Sequence, residues 1–145
     1  MVACNYGGGG GTPTPTAPEL LWTNPNPGKV FTEQTVTLDL SQYKSVAIEY
    51  RAIYNNKASG MVFLTVPFTP FTSDGNTWQQ LCINTTNSKN PVPRYCYGRK
   101  VTITTSGITF STGQYNTTSS NNYAIPLRIF GIKAQIYPDN WTPPY

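Results

Sequence analysis

The stretch Ala124–Tyr137, AIPLRIFGIKAQIY, constrains this chain most. Its apolar residues recur with a period of two, which is strand and not helix. Ile125, Leu127 and Ile129 share one phase; past Phe130-Gly131 the apolar positions become Ile132, Ala134 and Ile136. A one-residue slip beside a glycine is what a β-bulge produces. The expectation is two strand halves joined at a bulge at Phe130-Gly131, both facing one core. Pro126 has no amide to donate, which predicts a sheet edge or strand entry at that point. Arg128 and Lys133 fall on the opposite face, as the solvated side of a central strand requires; a functional role for either is the lesser reading.

A strand this apolar needs a sheet around it, and the preceding residues supply one. Glu19–Thr23 predicts a short first strand with Trp22 packed, and Asn24–Lys29 (NPNPGK) is turn chemistry throughout. Gln34–Leu40 alternates, with Val36, Leu38 and Leu40 inward. Ser45–Tyr54 sets Val46, Ile48, Tyr50 and Ala52 against a wetter face of Ala47, Glu49, Arg51 and Ile53, where Glu49 and Arg51 are free to pair with neighbours. Gly60–Pro67 is apolar on both faces and predicts a central or interface strand. Thr77–Asn84 is a further strand, Thr85–Pro93 a polar loop, and Arg94–Tyr97 a short strand. Gly98–Phe110 predicts a hairpin with a Ser106-Gly107 loop, Thr105 facing Ile108 and Ile103 facing Phe110. Thr112–Tyr123 is long, uncharged and polar, the character of a binding or mobile loop.

These elements make the class all-β: an antiparallel β-sandwich, jelly-roll-like more than immunoglobulin-like, with an extended N-terminal arm. At 145 residues the chain is one domain. Residues 1–18 form the arm, 19–137 the sandwich and 138–145 a Pro/aromatic tail. Within the arm, Gly7 to Gly11 is an unbroken glycine run and flexible, while Pro13, Pro15 and Pro18 stiffen the second half towards polyproline II. Flexible then stiff is the composition of an anchoring tether; a tail without a partner is the plainer alternative. In the C-terminal tail, Trp141 either folds back on the domain or docks on a neighbour.

The titratable residues narrow the chemistry. The chain has no histidine, so Ser-His and Cys-His nucleophilic pairs are excluded. Six acidic residues leave few carboxylate pairs for a glycosidase, and three scattered cysteines do not have zinc-ligand spacing. The glycine run lacks the Lys-Ser/Thr and helix of a phosphate loop. No cofactor, no metal and no enzymatic activity are expected. The net charge of +4 is a weak excess; Arg94–Lys100 interleaves cations and tyrosines, but with no second cluster a half-exposed strand is preferred to a nucleic-acid contact. No stretch has the length of a membrane span.

Cys82 and Cys96 flank one polar loop and are either a disulfide or, in a reducing compartment, buried thiols. Met1-Val2-Ala3-Cys4 is like the end of a bacterial lipoprotein signal, without its hydrophobic region. Ten tyrosines and three tryptophans among asparagines and threonines suit sugar or protein contacts. The candidates in or beside loops are Trp78, Tyr115, Asn116, Tyr123 and Trp141; for any single one, packing in the sandwich or its rim is the competing role. Three Asn-X-Thr matches, at Asn84, Asn116 and Asn140, are expected by chance in so Asn- and Thr-rich a chain.

Several motifs run together. Leu21-Trp22-Thr23-Asn24-Pro25-Asn26-Pro27, Phe31 and Gln34 to Tyr43 come first. Ile48-Glu49-Tyr50-Arg51, Ile108 to Gly113, Tyr123-Ala124-Ile125-Pro126 and Ile129 to Lys133 come after them. Across residues 20–137 this pattern resembles a β-sandwich module of tailed-bacteriophage virion proteins, of the tail-fibre, baseplate or head-decoration type. The motifs are strand-and-turn patterns and not catalytic signatures. The resemblance implies a non-enzymatic virion component, multimeric and displayed on the particle. A single module behind a short arm favours a small protein pinned to capsid or tail by residues 1–18 over a fibre tip. Expected partners are therefore other virion proteins and further copies of the chain, with no nucleic acid and no membrane. The alternative is a receptor- or carbohydrate-binding module that takes a host-surface glycan; a lipid-tethered bacterial surface protein is a third reading.

Overall fold

Strands run through most of the residues that the computed structural model describes, which are 17–55, 59–68, 83–87, 90–115 and 117–134. In chain order they are β1 (Glu19–Thr23), β2 (Gln34–Thr37), β3 (Ser45–Ile53), β4 (Ser59–Thr65) and β5 (Ile83–Asn87). Then come β6 (Asn90–Thr104), β7 (Gly107–Tyr115), β8 (Thr118–Ser119) and β9 (Tyr123–Ile132). They form two antiparallel sheets, β1-β9-β3-β4 and β2-β7-β6-β5, with β8 added to β7. The chain is an all-β antiparallel sandwich. Outer elements of the sequence meet across it, β1 beside β9 and β2 beside β7, while β3–β4 and β5–β6–β7 are neighbours in both chain and sheet.

The alternation in β3 and β7 is what closes the core. Val46, Ile48 and Tyr50 from the first sheet pack with Val101, Ile103, Ile108 and Phe110 from the second, and Leu40, Ile125 and Ile129 join them. Each such aliphatic side chain contributes roughly 1.5–3 kcal/mol when fully buried. Ala47, expected on the wetter face, is also buried, because it lies between Phe63 and Phe130 on the neighbouring strands.

β9 lies inside its sheet, between β1 and β3. The predicted slip at Phe130-Gly131 is absent: β9 ends at Ile132 and Ala134 is exposed, so no second half-strand turns Ile132 and Ala134 to the core, and the bulge lies earlier. Glu49 faces Arg128 and Tyr50 faces Pro126, which leaves Leu127 as the extra residue. From Arg128 onward the alternation runs unbroken through Phe130-Gly131: Ile129 and Gly131 are buried, Arg128 is exposed. Gly131 has another cause. A Cβ there would lie 2.5 Å from the Tyr43 ring and 2.8 Å from Leu21, so the glycine makes room for packing. Pro126 is not at the sheet edge but near the entry of β9, the other position expected for it. Its missing amide falls at the bulge, just past the end of β1, where Asn24 Nδ2 donates to its carbonyl at 2.8 Å. The Asn24 amide donates to Leu127 O, and its side-chain oxygen accepts from the Asn26 amide, so the NPNP turn locks the end of β1 to β9.

Three other expectations change. The β6–β7 turn is Thr105-Ser106, with Ile103 facing Ile108 and Val101 facing Phe110. The Thr105 and Ser106 carbonyls are taken by the amides of Leu40 and Leu38, which fixes that register. β6 is one long strand, so the described residues of the predicted loop Thr85–Pro93, 85–87 and 90–93, and the predicted short strand Arg94–Tyr97 lie on the paired strands β5 and β6. Among the described residues β4 is an edge strand, not a central one, with Met61 47% and Phe63 58% exposed.

Candidate functional site

β6 carries Tyr97, Arg99, Val101 and Ile103 on one face, because side chains two apart in a strand point the same way. Val101 and Ile103 are core residues, and Arg99 is buried with them at 1% exposure. A guanidinium is tolerated there only if its donors are satisfied. β7 makes this possible with a bulge. Arg99 faces Gly113 while Val101 faces Phe110, so β7 has one residue too many around Ser111-Thr112. The bulge turns the Ser111 carbonyl onto Arg99 Nη1, and Ser111 Oγ replaces it by accepting the Lys100 amide at 3.0 Å.

The other two acceptors come from the opposite sheet. Arg99 Nη2 donates to Tyr123 O at 2.8 Å and Nε to Ala124 O at 3.0 Å. Its plane lies over the Phe31 ring, 5.2 Å from the centroid, a favourable cation–π placement. Burial brings the guanidinium down to about 10, opposed by the charge of Glu33, so it stays protonated at neutral pH. Ala124 holds a left-handed backbone, φ 48°, which aims its carbonyl at Arg99.

The clamp fixes the start of β9, and with it a cluster of three tyrosines at this end of the sandwich. Tyr97 and Tyr115 are paired across β6 and β7, with ring centroids 4.5 Å apart and nearly parallel. Tyr123 lies 5.5 Å from Tyr97 and 5.7 Å from Tyr115. All three rings are half-buried. Gly113 brings the β8–β9 connection onto β7: the Ser120 amide donates to its carbonyl at 2.8 Å, and a Cβ there would lie 2.3 Å from Tyr123 O. Such a cluster offers aromatic faces and hydroxyls together, the combination that packs on a sugar ring or grips a protein side chain.

Of the predicted site residues, the structure brings Tyr115 and Tyr123 together. They stand on strands, not on a long loop: most of Thr112–Tyr123 is the end of β7, the β7–β8 hairpin and a short turn. Trp78, Asn116 and Trp141 lie outside the described residues, as do Gly7, Gly11, Pro13, Pro15, Cys4 and Cys82; Pro18 is described and exposed. Tyr97 and Arg99 were not among the predicted site residues. Their signal was the alternation Tyr97-Arg99-Val101-Ile103, which places the arginine on the apolar face. Arg99 is a structural clamp and not a snorkelling surface cation, so it takes no part in any nucleic-acid contact by Arg94–Lys100.

Among the described residues, four further charged side chains form two surface ion pairs. Arg128 binds Glu49 through two nitrogens, and Lys133 Nζ lies 3.0 Å from Glu19, which also accepts from the Tyr43 hydroxyl. Arg51 donates to the carbonyls of Pro27 and Tyr54. Among the described residues no group of three or more Cys, Asp or Glu is placed to hold a metal ion. No protein-family model, curated protein or solved structure matches the chain.

Proposed function

We propose that this chain is a non-catalytic structural protein of a bacteriophage virion. Residues 1–18 anchor it to capsid or tail, and the sandwich is displayed on the particle as a homo-oligomer. The observation that carries this reading is the module resemblance across residues 20–137. Its motifs fall on β1, β2, β3, β7 and β9, which meet in one sandwich. The use of Arg99, Arg128, Glu49 and Glu19 in structural pairing supports a scaffold role. Mass spectrometry and immunogold labelling of purified particles test it. The chain is expected in the particle at stoichiometric copy number; its absence from particles overturns the reading. A chain lacking residues 1–18 is expected to fold and fail to incorporate, and normal incorporation removes the anchoring role.

The tyrosine cluster favours a second reading, compatible with the first, in which the displayed sandwich adheres to host-surface glycan. A glycan array bearing host-envelope sugars tests it with the full chain. Binding that Tyr115→Ala or Tyr123→Ala abolishes supports it, and a blank array leaves the scaffold role without adhesion.

A further inference from the structure

Among the described residues β4 is an edge strand. Charges, prolines and bulges within a strand are among the devices that stop edges from pairing, and β4 has none of these three. Ser59–Thr65 reads SGMVFLT, without charge or proline, and its register with β3 is unbroken from Arg51↔Ser59 to Ser45↔Thr65. The Val66 amide donates to Lys44 O, one step further along that register. Alternate residues of an antiparallel ladder bond the same neighbour. The amides of Gly60, Val62 and Leu64 therefore face β3, and those of Met61 and Phe63 face the open side. Among the described residues β4 pairs with β3 alone.

We infer that β4 is a homodimer interface, joining two copies of this chain edge to edge through antiparallel β4–β4 pairing. The occupant is a second copy because the strand is complementary to itself. A two-fold axis through Val62 sets Val62 against Val62 of the partner subunit and Met61 against Phe63 of the partner subunit. This register pairs the whole strand and presents edge-facing amides to edge-facing carbonyls. A closed two-fold contact needs this reciprocity. On the outer face the sulfur of Met61 meets an aromatic ring twice, a favourable contact. That face already carries Phe63, Ala47 and Phe130 side by side across β4, β3 and β9, so the apolar row continues into the second copy. No like charges are brought together within the strand, whereas a charged partner segment finds nothing on β4 to answer it.

The inference does not rest on the virion reading, since the dimer is sought in solution with the purified full chain. Sedimentation velocity over a hundredfold concentration range should show a dimer dissociating on dilution. Phe63→Lys should shift the dissociation constant upward at least tenfold while circular dichroism and melting stay as in the native chain. Met61→Lys should do the same, and serves if Phe63→Lys does not fold. Leu20→Lys, an equally exposed apolar site on β1 at 55% exposure, should leave the dimer intact. In hydrogen exchange the Met61 and Phe63 amides should be protected in the native dimer and lose protection in monomeric variants. A native chain that stays monomeric, or a dimer that both lysine variants leave unchanged, overturns the inference.

Discussion

Arg99 donates through Nε to the carbonyl of Ala124 at 3.0 Å, and Ala124 holds a positive φ in doing so. A side chain of one sheet thus sets the backbone of the first residues of the central strand of the other. Arg99→Met keeps the volume but leaves three carbonyls without their donor. Its expected cost is at least about 1–3 kcal/mol, the range for leaving one buried acceptor unsatisfied. Arg99→Lys supplies one point donor in place of a fork and should fall between the two. Urea denaturation of the three proteins checks the order.

Gly131→Ala drives a methyl into the Tyr43 ring, which is itself buried and tied to Glu19. The expected loss is about 1–3 kcal/mol, as for other overpacked cores. Thermal melting measures it, and a near-neutral result would show that Tyr43 moves aside freely.

The acid limb of stability is set by the carboxylates. Glu49 is held below the usual carboxylate range by its bonds from Arg128, and Glu19 by the Tyr43 hydroxyl and then Lys133. A depressed folded-state value means that the stabilisation is present above the ordinary range and is lost as pH falls through the depressed one. The urea midpoint should therefore be flat from pH 7 to about 5 and decline below about 4. Glu49→Gln should remove part of that slope and cost about 0.5 kcal/mol at pH 7, as exposed pairs do.

At the alkaline end Tyr50 is pushed up to about 12 by burial. Its neutral form stabilises the fold below the ordinary tyrosine value, about 10, and that contribution is lost as pH rises towards 12. Phenolate absorbance should show a late-ionising tyrosine that disappears in Tyr50→Phe.

Tyr97→Ala removes the stacked partner of Tyr115. The near-UV circular dichroism of the cluster should weaken, with a cost of about 0.5–1.5 kcal/mol for the ring contact beyond its buried area. An unchanged near-UV spectrum would show that the stacking in solution is not the one described.

β1 and β3 were legible in the sequence because their alternation is local. Glu19–Thr23 matches β1, and the Ser45–Tyr54 alternation differs from β3 by one end residue. What escaped was set by distant partners. Leu127 and not Gly131 is the extra residue, since register is decided by Glu49 and Tyr50 on another strand. The hairpin turn shifted by one because Leu38 and Leu40 claim its carbonyls. Tyr115 and Tyr123 were legible as aromatics beside polar residues, but the polar stretch between them reads as loop when hairpin amides find each other and not side chains. Arg99 escaped because charge outweighed phase.

Sheet-to-sheet contact in a sandwich is mostly non-directional apolar packing, which survives small slips. Arg99 bonds Ser111 in its own sheet and Tyr123 and Ala124 in the other, so it requires both at once. A half-folded chain with one sheet formed would hold a cation against apolar surface with its acceptors missing. Such a species is penalised, and the two sheets should form and melt as one cooperative unit.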